Sequence, residues 1–299
     1  MRIIYLTLLV FVFASSCQKK EETIRIATKP MTEQFILGEM LSLLIEENSD
    51  LKTEITKGIG GGTSNIHPAL IKGDFDMYPE YTGTAWQVVL KQDTLLPAGK
   101  LYQEVEEIYR DSFQLAWVGI YGFNNTYGLG VTKELAQKYN LQKISDLSNY
   151  PDQFNFGAEY DFFEIHKGYD ALCKEYNLKF KKTTDMDIGL KYEAMKANKV
   201  DVLNVFTTDG QLTNANLKIL EDDHSFFPAY YAGTVVRMKT LEKYPQLEPI
   251  LKKMEGILND SIMSRLNYEV DMQGKAEREV AADFLKSKGL LSKDKNYGN

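Results

Sequence analysis

The sequence predicts an α/β protein built from two domains, and three observations carry that reading. Short runs of strand character alternate with runs of helical periodicity from Thr23 onward; the same alternation restarts near Tyr127; and the stretch from Leu241 to Lys286 is helical almost throughout. Alternation of this kind gives parallel-rich sheets covered by helices. A chain of 299 residues is long enough for two such units, each burying a core of its own.

In the first series TIRIAT reads as a strand, and Thr32 with Glu33 opens a helix whose apolar residues Phe35, Ile36, Met40, Leu43 and Leu44 recur at helical spacing. KTEITKGI is a second strand. Gly60 to Gly62 form a turn that leads through Thr63, Ser64 and Asn65, residues suited to a helix N-cap, into a helix near Ile66 to Ile71. The strand DFDMYPE follows. In the second series YGLGVT, FNFGA, LKFKKT and VDVLNVF are strands, separated by helices from Lys133 to Tyr139, Gly168 to Tyr176 and Ile188 to Ala197. In the tail, EPILKKMEGIL and AEREVAADFLKSK read as amphipathic helices. An internal echo links the halves: KGDFDMYPEYTGT and NKVDVLNVFTTDG each set an aromatic residue five positions after a strand aspartate, Tyr81 after Asp76 and Phe206 after Asp201. Ligands of open α/β sheets sit beyond the carboxyl ends of strands, so the two rings are candidates to approach one cleft from opposite sides. Core packing is the competing reading.

The opening MRIIYLTLLVFVFASSC has a positive charge at Arg2, an apolar run from Ile3 to Phe13, and the small residues Ala14, Ser15 and Ser16 before Cys17. It reads as a secretory signal over residues 1–17, too short to span a bilayer. A cysteine closing a small-residue cleavage site resembles a bacterial lipobox, so Cys17 is expected to be the acylated first residue of the mature chain, with residues 18–23 as a tether. That makes the protein an exported, membrane-anchored lipoprotein on the periplasmic or cell-surface side. An ordinary signal with an incidental cysteine is the alternative. Cys173 would then be the remaining cysteine, a helix core residue without a disulfide partner. The formal charge of -7, without a long basic run, argues against a nucleic-acid partner.

Catalytic chemistry finds little support. There is no G-x-S-x-G elbow and no plausible Cys/His pair. His67, His166 and His224 fall in no metal-ligand spacing, so neither metal nor cofactor is expected, and each reads as a surface or cap residue. GIGGGTSN matches neither a P-loop nor a dinucleotide fingerprint and reads as a strand-to-helix turn. Glu159, Asp161 and Glu164 read as a solvated edge rather than a glycosidase pair. What stands out is aromatic residues near turns: Tyr81, Tyr127, Phe206, Tyr230 and Tyr231, in a chain with 18 tyrosines. Several ring faces can enclose a quaternary ammonium, which donates no conventional hydrogen bond, through cation–π attraction of up to about 2 kcal/mol per desolvated ring. Core or rim packing competes for any single ring.

The strings TEQFILGEML, GDFDMYPEYTGT, GFNNTYGLGV, KISDLS, VDVLNVFTTDGQL, DDHSFFPAYYAGTVVR and LNYEVD occur in an order that resembles the substrate-binding proteins of bacterial glycine betaine, choline and carnitine ABC importers, from about Ile24 to Leu291. The resemblance implies a two-lobed periplasmic-binding-protein-like fold of type II, lobe 1 from residues 24–123 and 227–299, lobe 2 from residues 124–226. It also implies ABC permease and ATPase partners and a trimethylammonium ligand held in an aromatic box. Carried over by motif, the box is Tyr81, Tyr127, Phe206, where the family commonly has tyrosine, and Tyr230; Lys29 and Thr84 look like groups for the ligand's polar tail. One departure stands out. The family segment E-F-x-x-R-P-D-G-Y reads DFFEIHKGY here, which puts Ile165 at the arginine position and removes a bidentate partner for a ligand carboxylate. Two other readings stay open, a sensory or scavenging binder of another cationic metabolite and an exported enzyme acting on a choline ester.

Overall fold

The computed structural model describes residues 23–297, except 93, 160–161, 164–166 and 187–189. The leader with Cys17, most of the tether, and Asp161, Glu164, Ile165 and His166 therefore lie outside the described residues.

Two five-stranded sheets organise the chain. The first contains β1 (Thr23–Ala27), β2 (Lys52–Thr56), β3 (Met77–Tyr81), β4 (Leu115–Asn124) and β10 (Tyr231–Arg237), in the order β2-β1-β3-β10-β4. The second contains β5 (Tyr127–Thr132), β6 (Asn155–Ala158), β7 (Lys182–Asp185), β8 (Val202–Phe206) and β9 (Leu217–Ile219), in the order β7-β6-β8-β5-β9. In each sheet the first strand along the chain to pair in parallel has parallel neighbours on both sides, β1 with β2 and β3, and β6 with β7 and β8. Antiparallel pairing comes from β10 against β3 and β4 and from β5 against β8 and β9.

The echo between the halves has a structural cause. The Asp76 carboxylate accepts the Arg25 backbone N–H at 2.9 Å while the Asp76 N–H returns to the Arg25 carbonyl at 2.8 Å. Asp201 does the same with Asn155, at 2.8 Å in both directions. Each aspartate thus fixes the register at which β3 or β8 enters its sheet. The ring five residues later therefore emerges at the same level, the carboxyl end.

Helix α1 (Thr32–Asn48) is buried along most of its length, among strands of the first sheet and α10 (Glu277–Ser287). Helix α2 (Thr63–Lys72) starts from Gly62 without a side-chain cap, so Thr63 is released for another bond described below. Helix α3 (Ala98–Phe113), with Leu101, Val105 and Tyr109 inward, has no counterpart in the sequence reading. The second sheet carries α4 (Lys133–Tyr139), α5 (Tyr169–Tyr176) and α6 (Lys191–Lys196). The tail adds α7 (Met238–Lys243), α8 (Leu247–Leu251) and α9 (Asp260–Asp271) before α10.

Several local expectations are corrected. LKFKKT is not a strand over its length: the Leu178 N–H closes onto the end of α5 at Cys173, and β7 begins only at Lys182. Its apolar residues instead pack inward from the loop, with the Phe180 ring 4.8 Å from that of Phe156. EPILKKMEGIL breaks after a turn at Lys252–Met254, because Gly256 and Leu258 donate their N–H groups to Ile120 and Tyr121 of β4. His67 is no surface residue. It is 6% exposed, edge-on to Tyr109 and Phe113, and burial pulls its pKa below the ordinary 6.5. Glu159 is buried too, beside Lys191.

The sheets are joined by crossing segments near residues 124–126 and 227–230, and Thr207, just past β8, bonds to the first of them. The Thr207 hydroxyl donates to the Asn124 carbonyl at 2.5 Å, Thr126 Oγ1 donates to the Pro228 carbonyl at 2.7 Å, and the Tyr230 N–H reaches Asn124 Oδ1 at 2.6 Å. These bonds bring the carboxyl ends of β3 and β8 to a common place.

Candidate functional site

The run MYPEYTGT ends β3 and begins a helical turn, and each residue has its own environment. Tyr78 is fully buried in the core. Glu80, also fully buried, accepts from the Lys29 ammonium, from Thr63 Oγ1 at 2.6 Å and from the Tyr81 N–H at 2.6 Å. Tyr81 donates its hydroxyl to Glu33 at 2.5 Å. At Gly83 a Cβ would stand 2.6 Å from the Tyr230 ring and 2.7 Å from the Ala229 carbonyl, so only glycine lets the turn approach that ring. Tyr230 in turn donates its hydroxyl to Gln87 at 2.8 Å.

The opposite wall comes from the second sheet. Tyr127 and Phe206 face each other across the β5–β8 pair, with ring centroids 4.8 Å apart and planes inclined by 33°. Phe162 and Phe227 support Tyr127 at 5.3 and 6.1 Å. Beside Phe206 lies the fully buried Lys191, its ammonium 5.2 Å from the ring centre, 3.7 Å from Glu159 and 3.8 Å from Asp209. Burial pulls the Lys191 pKa down against the two carboxylates, which raise it.

These walls enclose a cavity of about 240 Å³. Lys29, Tyr81, Thr84, Tyr127, Phe206 and Tyr230 all line it, so these six candidates chosen from sequence converge on one space, whereas Tyr231, the other ring singled out, lines a different cavity. Met31, Asn125 and Thr126 also line it and were not singled out from sequence, although GFNNTY contains the last two. Ile165 lies outside the described residues and so cannot be placed against the cavity.

Electrostatically the cavity is rich in rings and poor in uncompensated charge. Its lysine is paired with Glu80 and also lies 4.7 Å from the Tyr81 ring centre. No arginine is among the described residues that line it. Such a space suits a weakly hydrated cation that needs no hydrogen-bond acceptor. Beyond it, sharing Met31, Asn125 and Phe206, opens a second chamber of about 340 Å³. Glu33 lies on its wall. Burial raises the Glu33 pKa, and hydrogen bonds from Tyr81, Thr208, Asn125 and Asn267 act in the other direction. Among the described residues no helix is long and apolar enough to cross a membrane, and no group of three His, Cys, Asp or Glu residues could hold a metal ion.

Comparison with known proteins agrees with the architecture. A family described as the substrate binding domain of ABC-type glycine betaine transport system matches residues 22–287. An ergothioneine transport permease/ergothioneine binding protein from Helicobacter pylori is 46% identical over 271 residues, which are 91% of this chain and 48% of the relative. The chain thus spans about half the length of that relative. A carnitine transport binding protein from Listeria monocytogenes is 36% identical over 281 residues, with 91% of each chain covered. A crystal structure of a glycine betaine/carnitine/choline ABC transporter superposes with a TM-score of 0.86 at 33% identity, covering 90% of this chain and 100% of that one.

Proposed function

The chain belongs to the family of substrate-binding domains of ABC-type glycine betaine transport systems, and from that premise we propose that it is the extracytoplasmic solute-binding subunit of an ABC importer for a betaine. The trimethylammonium group is held among Tyr81, Tyr127, Phe206 and Tyr230. The observation that carries this reading is the convergence of these rings, Tyr81 from the first sheet, Tyr127 and Phe206 from the second and Tyr230 from the segment before β10, on one cavity with Lys29 and Thr84 at its edge. Each desolvated ring face contributes up to about 2 kcal/mol toward a cation.

The betaine best suited to the site is ergothioneine, a trimethylated amino acid bearing a heteroaromatic ring. Two things support it: the 46% identity to a relative named for that compound, and a second chamber contiguous with the ring-lined one, which a ligand as short as glycine betaine would leave unfilled. Lys29 and Thr84 are then the groups for its carboxylate. Permease and ATPase subunits are the partners, and acylated Cys17 is the membrane anchor. None of this requires a catalytic group.

Isothermal titration of the purified protein with ergothioneine, carnitine, choline and glycine betaine tests the reading. Saturable binding is expected, tightest for ergothioneine. Absence of binding to all four overturns it.

A further inference from the structure

The second chamber has a chemical bias that the ring-lined cavity lacks. Glu33, Asp209, Asp271, Asn125 and Asn267 contribute to its wall, and no lysine or arginine is among the described residues that line it. A ligand carboxylate directed here would meet Glu33 and Asp271, with Asp209 already facing Lys191 at 3.8 Å, so the chamber disfavours the acidic end. It is a place for hydrogen-bond donors.

Within it, each of the three carboxylates already has a strong donor, Glu33 taking the Tyr81 hydroxyl at 2.5 Å. Asp209 accepts the Tyr192 hydroxyl at 2.7 Å, and Asp271 accepts the Thr32 hydroxyl at 2.6 Å. The acceptors without a donor lie beside Glu33, which is 4% exposed. Asn125 and Asn267 both turn their Nδ2 groups toward it, at 3.0 and 3.4 Å. That orientation leaves Oδ1 of both amides buried without a donor among the described residues, and Asn267 is itself 6% exposed. Buried acceptors left unmet are costly, and it is the two amide Oδ1 atoms that lack a donor, since Glu33 already holds four, from Tyr81, Thr208, Asn125 and Asn267. The arrangement is incomplete as it stands and is completed by N–H groups arriving from the chamber.

We infer that Glu33, Asn125 and Asn267 form a donor-selecting subsite beside the ring-lined cavity, which receives the N–H edge of the ligand's heteroaromatic ring. The inference rests on the betaine reading above and adds the ligand's direction: ammonium among the four rings, carboxylate toward Lys29 and Thr84, ring toward Glu33. Asn267 lies on α9, so the tail of the chain takes part in choosing the ligand.

The experiment is a ligand-and-residue cycle by isothermal titration, with ergothioneine and its analogue methylated on both ring nitrogens as probes. With the wild-type protein the methylated probe should bind at least about tenfold more weakly, the loss expected for hydrogen bonds to buried acceptors. In Glu33→Gln that ratio should shrink to within about threefold, since the carboxylate that holds both amide Nδ2 groups and leaves their Oδ1 atoms for the ligand is gone. Asn267→Leu, which removes an acceptor outside the ring-lined cavity, should shrink it in the same direction and stands in where Glu33→Gln does not fold. An unchanged ratio in a folded variant, with ergothioneine still bound, overturns the subsite alone. Failure of wild type to bind any trimethylammonium probe overturns the functional reading itself.

Discussion

Lys29 and Glu80 form a buried ion pair from the loop after β1 to the end of β3, with side chains 9% and 0% exposed. A charge so placed is tolerated because its partner is present, and Thr63 and the Tyr81 N–H complete the carboxylate's bonds. Lys29→Met should therefore destabilise the protein by about 3–5 kcal/mol, by stranding Glu80. The double variant Lys29→Met/Glu80→Gln should recover a large part of that loss. Urea unfolding of both proteins at one pH measures it, and equal losses in the two would show that the pair is not what holds this end of the sheet.

Tyr127 supplies a face to the cavity and packs on Phe162, Phe206 and Phe227. Tyr127→Ala should weaken binding of a trimethylammonium ligand by about tenfold or more, the equivalent of one desolvated cation–π contact. Tyr81→Ala should weaken it as much and also lower the melting temperature, because the Glu33 carboxylate loses the Tyr81 hydroxyl. Titration and a thermal melt on each variant separate the two effects, and normal affinity in both would reduce the rings to packing.

His67 gives stability an acid limb. Burial lowers its folded pKa beneath the ordinary 6.5, against a smaller opposing influence from Glu80. As pH falls the unfolded chain takes the proton first, so the stability of neutral His67 is complete above about pH 6.5 and is lost as the pH drops through the lower folded value. His67→Phe, which keeps an aromatic edge against Tyr109 and Phe113, should flatten the fall in unfolding free energy between about pH 7 and about pH 5. An unchanged slope in denaturant titrations across that range would assign the acid limb to other groups.

Much of this architecture was legible because strand and helix periodicity are local signals. The Asp76 and Asp201 spacing told of paired strand ends because each aspartate bonds the backbone of its neighbouring strand. The six cavity residues were legible as rings near strand ends and through motif resemblance. What escaped were features made by distant contacts. Helix α3 is an exception, since Leu101, Val105 and Tyr109 recur at helical spacing and its signal is local, whereas β9 and β10 are strands through antiparallel pairing with segments far away in sequence. His67 and Glu159 looked like surface residues because burial of a single polar side chain leaves no periodic trace. Glu33, Asn125 and Asn267 come together from positions 234 residues apart at the extremes, which no window of sequence displays.

Gly83 is the point where the helical turn after β3 meets the Tyr230 ring. A methyl group there would lie 2.6 Å from ring carbons and 2.7 Å from the Ala229 carbonyl, and the latter is backbone that must move. Gly83→Ala should displace Tyr230 from the cavity wall and break its bond to Gln87, weakening ligand binding by about tenfold, comparable to loss of one ring, with a destabilisation of about 1–3 kcal/mol from overpacking. Gln87→Leu, which removes the hydroxyl's partner without crowding the ring, should weaken binding much less. Equal effects from the two substitutions would place the cause in the hydrogen bond.

By the motif resemblance in the sequence, Ile165 stands at the arginine position of the family segment, and the effect expected of it rests on the described residues that line the cavity. Lys29 already answers Glu80, and the described lining holds no arginine, so a ligand carboxylate finds no bidentate cation among the described residues. A ligand that is only cationic loses nothing by this. Wild type should accordingly bind choline at least as well as glycine betaine, both being short enough to leave the second chamber empty. Ile165→Arg should shift that preference toward glycine betaine by about tenfold or more, since a guanidinium supplies paired donors and repels a ligand with net positive charge. Ergothioneine, which carries a carboxylate, should gain as glycine betaine does. A competition titration of choline against each betaine, on wild type and variant at one ionic strength, measures the shift. If wild type strongly prefers glycine betaine and the substitution leaves the ratio alone, residue 165 faces away from the ligand, and the carboxylate is met by Lys29 and Thr84 without help from that segment.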